Sequence, residues 1–159
     1  MTMRVKTPLF EDPAVIERSV HIVTSYDSFF VRPLLGQQFY SASAMVKALY
    51  HAPVAIVSHD ADNNFCFGNR AALHMFKRNL EDFIGMDSSL SAAPMDRGER
   101  ERLLQRVYQF GFADDYTGIR ITGDGGRIKI TNARIWNVTD DDGAYLGQAA
   151  MIPDWQPVY

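Results

Sequence analysis

The residue types that could carry chemistry are scattered along this sequence and form no motif. The histidines have no metal-ligand spacing, and the single cysteine has no second cysteine for a disulfide or a metal knuckle. The residues concerned are His21, His51, His59, His74 and Cys66. The chain also lacks a serine-nucleophile elbow, a Walker loop and a dinucleotide-binding glycine motif. We therefore predict no catalytic residue, no metal site and no enzymatic activity.

The acidic clusters fit turns better than they fit a site. The run Asp140 to Gly143 would need a closing glutamate to act as a calcium loop, and that glutamate is absent. Asp114 and Asp115 are adjacent, so alternation along a strand would point their carboxylates apart. A less favoured alternative is a small pocket enzyme that uses His74 or Asp115 as a base.

Composition and charge disfavour several function classes. A length of 159 residues favours one domain, or one domain with a helical extension. A net charge of -3 gives no broad attraction to DNA or acidic membranes. No apolar run approaches the ~18 to 20 residues of a membrane helix, and residues 1–10 lack the apolar core of a signal peptide. We expect a cytoplasmic protein that binds neither nucleic acid nor a membrane.

Two helices are predicted in the N-terminal third. The pair Asp12-Pro13 is a helix start, and the first helix should end before Pro33. A second helix should run from about Ser41 or Ser43 to Tyr50.

The apolar faces of these two helices need a cover. That cover is either the sheet of the same chain or the same helices of a second copy. We expect residues 1–50 to form a helical extension that mediates a homodimer, and residues 51–159 to form the main domain.

The middle of the chain predicts two short strands followed by helices. The strands are Pro53 to Ser58 and Phe65 to Phe67, and Asn69 then caps a helix. A longer helix is predicted with Asp96 as its N-cap and Gly111 as its stop. Its buried stripe should contain Leu103, Leu104, Val107 and Tyr108. Its charged side should contain Arg100, Glu101, Arg102 and Arg106.

The segment from Tyr116 to Ile152 predicts a three-stranded antiparallel meander, because two turn signals separate three apolar runs. Strict alternation along the second strand of the meander places Trp136 on the same face as Ile128. The pattern of apolar residues instead places Trp136 on the opposite face. A β-bulge near Asn132 would reconcile the two patterns.

The order of elements, which is two strands, short helices, one longer helix and three strands, resembles the PAS fold. More specifically, the chain resembles a bacterial stand-alone member of the PAS-like MEKHLA domain family. The resemblance is carried by Ser58 to Asp60, Asn69 to Leu73, Gly111 to Arg120, Trp136 to Asp140 and Gly147 to Ala150. It implies an α+β fold with a five-stranded antiparallel sheet, short helices on one face and a sensing or interaction role. It implies no biochemical activity.

The resemblance leaves the cofactor unknown. Flavin light sensors of the PAS class carry their reactive cysteine on a middle helix, and the segment from Arg70 to Pro94 contains no cysteine. Haem binding as in other PAS domains would require a histidine on the long helix, and the segment from Glu99 to Phe110 has none. In plant relatives the domain lies at the end of homeodomain leucine-zipper regulators. This chain has no basic region or heptad run, so the resemblance does not imply that it binds DNA.

A ligand pocket is predicted between the sheet and the short helices. Its lining is predicted to be Phe67, Leu73, Phe76, Tyr116, Ile130, Trp136 and Gln148. Our first hypothesis is a sensory domain that binds a small molecule or an effector protein there. The alternative is that the same residues fill the core of a dimerisation or scaffold module. Backbone partners for the Gln148 amide would favour a filled core, whereas an amide facing enclosed space would favour a ligand.

Overall fold

The computed structural model describes residues 9–37, 39 and 41–159, so part of the predicted extension over residues 1–50 lies outside the described residues. The α-helices are α1 (Pro13–Phe29), α2 (Ala42–Tyr50), α3 (Arg70–Phe76), α4 (Leu80–Phe83) and α5 (Pro94–Phe110). The strands are β1 (Ala55–Asp60), β2 (Phe65–Gly68), β3 (Phe112–Ile121), β4 (Arg127–Thr139), β5 (Tyr145–Ile152) and β6 (Asp154–Val158). One-turn 3-10 helices lie at Leu9–Glu11 and Ser88–Ser91.

The strands form one antiparallel sheet in the order β2-β1-β5-β4-β3. This order confirms the predicted α+β class and the five-stranded antiparallel sheet. The sixth strand, β6, was not predicted and pairs with β4 beyond the end of β5. Pro153 separates the two strands, and both keep the same register on β4, with Arg134 opposite Met151 and Thr131 opposite Asp154.

Helices cover both faces of the sheet. The inner face packs against α3, α4 and α5, which confirms the predicted short helices on one side. The N-terminal helix α1 packs its apolar side on the opposite face, where the indole nitrogen of Trp136 donates to the Ile22 carbonyl at 3.1 Å. Of the two predicted covers for α1, the sheet of the same chain is therefore the one observed.

A buried asparagine joins three elements near the start of α3. The side-chain oxygen of Asn69 accepts from the amides of Ala72 and Ile56, each at 2.9 Å. Its amide nitrogen donates to the carbonyls of Leu49 at 3.1 Å and Val54 at 2.8 Å. Asn69 thus caps α3, as predicted, and also holds the end of α2 against β1.

The long helix α5 begins three residues earlier than predicted. Pro94 occupies its first turn and Ala93 is the N-cap without a side-chain hydrogen bond, so the predicted capping role of Asp96 is wrong. Proline fits this position because its fixed φ is helical and its missing N–H needs no partner there. Asp96 instead lies 3.5 Å from the guanidinium of Arg127. The helix ends at Gly111, as predicted, with a φ of 102°.

The predicted bulge in β4 is present. Gly118 lies opposite Ile130 while Tyr116 lies opposite Ala133, so β4 carries one extra residue between these pairs. Asn132 has a φ of 57°, a left-handed conformation that asparagine tolerates better than most residues. The extra residue lets Ile130 and Ala133 face the same side of the sheet.

Candidate ligand-binding site

A cavity of about 50 Å³ lies between the inner face of the sheet and the helices. At about 10–15 Å³ for each water molecule, this volume holds roughly three to five waters. Apolar side chains form most of its wall. They are Val57, Phe65, Phe76, Leu103, Leu104, Ile130, Ala133, Ile135, Ala150 and Ile152.

One buried arginine enters the cavity wall from α5. Arg100 is only 6 % exposed, so its predicted place on the solvent side of the helix is wrong. One guanidinium nitrogen, Nη2, donates to the Ser88 hydroxyl at 3.0 Å. Burial, and to a lesser extent the nearby charge of Arg120, lower the pKa of Arg100 to about 10. The guanidinium therefore lies in surroundings that disfavour its positive charge.

The second buried arginine comes from β3. Arg120 is 7 % exposed, and its Nη2 donates to the Tyr116 hydroxyl at 3.2 Å. Its guanidinium also lies over the Tyr116 ring, 5.5 Å from the centroid. The Tyr116 hydroxyl in turn donates to Glu99 at 2.9 Å, and burial raises the pKa of Tyr116. Tyr116 therefore stays neutral at pH 7 and links the arginine to α5.

A glycine between these two residues makes room for their contact. Tyr116, Gly118 and Arg120 are two residues apart, so they share one face of β3. A Cβ added at Gly118 would collide with the Tyr116 hydroxyl. Gly118 therefore allows the Tyr116 ring to lie along the strand and reach Arg120.

A buried histidine on β1 also belongs to the polar part of the wall. His59 is 6 % exposed, and its Nδ1 lies 3.0 Å from the Asp60 carbonyl. A carbonyl can only accept, so Nδ1 carries the hydrogen and Nε2 of the neutral ring has a lone pair. Nε2 is buried without a hydrogen-bond partner in the described part of the chain. Burial lowers the pKa of His59, the Asp60 carbonyl opposes that shift, and Arg100 adds to it.

The Gln148 amide is already satisfied. Gln148 lies directly opposite His59 on the neighbouring strand. Its amide nitrogen donates to the Leu104 carbonyl at 3.0 Å and to the Asn137 side-chain oxygen at 3.2 Å. At this residue the geometry favours a filled core. Among the described residues that line the cavity, the unpartnered polar atom is instead Nε2 of His59, and the two arginine charges lack an ion-pair partner.

The structure brings together four of the seven residues predicted to line the pocket. Phe76, Tyr116, Ile130 and Gln148 line the cavity. Leu73 packs beside the same core without lining the cavity. Phe67 and Trp136 lie on the opposite face, in the cluster beneath α1. Whether the four lining residues bind a ligand stays a prediction.

Two β-bulges explain the displaced aromatic residues. In β2, Phe67 lies opposite Ser58 and Phe65 lies opposite His59, so Cys66 is the extra residue. Phe65 therefore faces the cavity and Phe67 faces away from it. In β4 the bulge at Asn132 has the same effect on Trp136, because one added residue moves every later side chain to the other face.

The residues considered as a catalytic base or as a reactive thiol lie outside this cavity. His74 and Asp115, the two residues proposed as a base, are exposed and do not line it. Cys66 is half-buried, its thiol lies 3.5 Å from the Ser58 carbonyl, and burial raises its pKa, which makes the reactive thiolate scarce. No cluster of potential metal ligands occurs among residues 9–37, 39 and 41–159. None of the helices described is long and apolar enough to cross a membrane.

Family comparison agrees with this architecture. The sequence profile of the MEKHLA domain matches residues 16–157, which is most of the chain. The chain belongs to the MEKHLA domain family. This confirms the resemblance carried by the sequence blocks around Asn69 and Trp136. No curated protein matches this MEKHLA domain significantly.

Solved structures of similar shape are PAS and light-oxygen-voltage domains. A PAS domain from Colwellia psychrerythraea has a TM-score of 0.61 at 17 % identity, covering 70 % of this chain and 93 % of that one. The light-oxygen-voltage domain of the blue-light photoreceptor Aureochrome1 has a TM-score of 0.56 at 18 % identity, covering 77 % and 86 %. At such identities the likeness establishes the fold of this MEKHLA domain.

Proposed function

We propose that this MEKHLA domain is a sensory or signalling domain that binds a small molecule in the cavity between its sheet and α5. The observation that supports this proposal most strongly is the pair of buried guanidinium groups, Arg100 and Arg120, on the cavity wall. Among the described residues, neither has a carboxylate within ion-pair distance.

Burying such charges is unfavourable. The effective cost is several kcal/mol per ion when no ion-pair partner compensates for lost water. Apolar residues of similar size would pack this core at lower cost. A ligand that supplies the missing ion-pair partner would explain why both guanidinium groups are buried here.

The alternative is a scaffold with a filled core that dimerises through its N-terminal helices. The apolar side of α1 already packs on its own sheet, so a second copy would have to use the outward side. That side has a shallow groove lined in part by Ile16, Val20 and Ala42. The homodimer, an effector protein and a cytoplasmic location remain parts of the proposal. Size-exclusion chromatography with light scattering tests the homodimer, and a monomer at high concentration would reject it.

Native mass spectrometry of freshly purified protein tests ligand binding. We expect a retained small molecule, and we expect Ala133→Val to reduce its occupancy by filling the cavity. The matched control is Ala55→Val, because Ala55 lies in the same core but does not line the cavity. An unoccupied protein that also binds none of the small molecules offered to it would favour the scaffold.

A further inference from the structure

We propose that the cavity binds a small monocarboxylate with a short apolar body, of which propionate is the type, and that Arg100 and Arg120 hold its carboxylate. This inference rests on the proposed function, because it names the ligand class of the same cavity.

The charge of the cavity wall selects an anion. Arg120 is close enough for its positive charge to disfavour the charged form of Arg100, and both side chains are buried. Glu101 and Asp87 favour the charged form of Arg100 from farther away, without an ion pair in the described residues. A guanidinium presents several N–H donors in a planar fork that matches a carboxylate. One carboxylate would relieve the repulsion and accept from the N–H groups that do not already donate to Ser88, Tyr116 or the Ile119 carbonyl.

His59 supplies a third contact that responds to the ligand. Its neutral Nε2 can only accept a hydrogen bond, whereas its protonated Nε2 can donate one to a carboxylate oxygen. Arg100 disfavours the protonated ring, and Asp60 and Gln148 favour it. A bound carboxylate would add to the favourable side, so propionate binding should be accompanied by proton uptake at His59.

The rest of the wall selects a short apolar body. Apart from the polar groups described above, the cavity is lined mainly by aliphatic and aromatic side chains, such as Ile130, Ile135 and Phe76. The cavity volume of about 50 Å³ corresponds to a ligand of roughly three to five heavy atoms, and propionate lies at the upper end of this range. Phosphate has a comparable size but offers no apolar group to this wall. A flavin is several times larger than this space.

Isothermal titration calorimetry tests the assignment with sodium propionate, its neutral isostere propionamide and inorganic phosphate at constant ionic strength. A ligand of this size binds at best in roughly the micromolar range, so the titrations should extend to millimolar concentrations. We expect propionate to bind at least about tenfold more tightly than propionamide or phosphate. Acetate and butyrate bracket the length of the apolar body.

Two arginine variants locate the contact. Arg100→Met should weaken propionate binding by about tenfold or more, because it removes one charged partner. Arg102→Met is the matched control, because Arg102 lies on the same helix but is exposed, and it should leave affinity unchanged. A second variant, Arg120→Met, should weaken binding similarly.

The outcomes separate this inference from the proposed function. Equal binding of propionate and propionamide, or tighter binding of phosphate, would overturn the carboxylate assignment and leave a ligand-binding domain. Propionate binding that Arg100→Met and Arg102→Met affect equally would overturn the placement. Failure of all three carboxylates to bind would overturn the inference, and a retained molecule in native mass spectrometry would then still support the proposed function.

Discussion

Arg100 on α5 and Arg120 on β3 line the same buried cavity, and the charge of Arg120 lowers the pKa of Arg100 beyond the effect of burial alone. Like charges in a core oppose folding unless something else compensates for them. In the proposed function, this arrangement is a preformed anion-binding wall that is maintained at some cost in stability.

Removing the Arg100 charge should not destabilise the free protein. We expect Arg100→Met to leave the melting temperature unchanged or raise it by up to about 5 °C, because replacing an uncompensated buried charge is often stabilising by a few kcal/mol. The lost hydrogen bond to Ser88 limits the gain. Differential scanning calorimetry without added carboxylate measures the shift against Arg102→Met. A melting temperature well below that of Arg102→Met would show that Arg100 is structural.

Acid should weaken the fold through His59. Burial lowers its folded-state pKa, so below the unfolded value of about 6.5 the unfolded chain binds a proton that the folded chain does not. Stability from this group is therefore present above pH 6.5 and is lost as the pH falls through the folded pKa, at up to about 1.4 kcal/mol per pH unit. Urea unfolding between pH 7.5 and 5 measures this slope.

The control for this pH dependence is His59→Leu, which lacks the titrating ring. Below pH 6.5 this variant should show a weaker dependence of the free energy of unfolding on pH. The pH dependence that comes from other titrating groups should remain. Adding propionate to the unmodified protein should also reduce the acid loss, because the carboxylate favours protonated His59. Identical slopes for the unmodified protein and His59→Leu would contradict this account of His59.

Gly118 should not tolerate even a methyl group. We expect Gly118→Ala to cost about 1–3 kcal/mol, because the added Cβ collides with the Tyr116 hydroxyl and displaces the ring from Arg120. Gly98→Ala is the contrasting control, since a Cβ there meets only the Arg102 guanidinium at 3.6 Å. That change lies inside α5 and should stabilise by about 0.5–1 kcal/mol. Chemical denaturation gives both values, and equal signs would refute the steric argument.

Asn69 should contribute far more to the stability of the fold than an ordinary helix cap does. Asn69→Ala leaves the buried amides of Ile56 and Ala72 and two carbonyls without partners, so we expect a loss of about 3 kcal/mol or more. Asn79→Ala is the matched control, because Asn79 caps α4 by accepting one exposed hydrogen bond from the Asp82 amide at 2.8 Å. It should cost about 1 kcal/mol. Similar losses in urea unfolding would show that Asn69 acts only as a cap.

The sequence was sufficient for the fold and for part of the cavity. The order of elements, the cap at Asn69 and the bulge at Asn132 were all predictable, because each rests on local chemistry or on a conflict between two patterns. The face of Phe67 was not, because one extra residue in a strand inverts the side-chain alternation after it. The face of Trp136 followed from the bulge at Asn132, but the predicted lining placed Trp136 in the pocket as if the strand were regular. The Cys66 bulge in β2 has no comparable sequence signal.

The two arginines were missed because a charged residue on a helix or strand is usually solvated. For Arg100 a signal existed, since it precedes Leu103, Leu104 and Val107 by three, four and seven residues and so shares their stripe. Tyr108 was assigned to that stripe instead and is 58 % exposed. For Arg120, the apolar Ile119 and Ile121 occupy the other face of the strand, which made the arginine appear to face solvent.

The central claim is that propionate lies in this cavity with its carboxylate on the arginines. An isotope-filtered nuclear Overhauser spectrum of labelled protein with unlabelled propionate tests it most directly. We predict contacts from the propionate methyl group to the methyl groups of Ile130 and Ile135, together with a shift of the Arg100 side-chain Nε resonance. Contacts confined to surface residues, or an unchanged Arg100 resonance at saturating propionate, would contradict the claim.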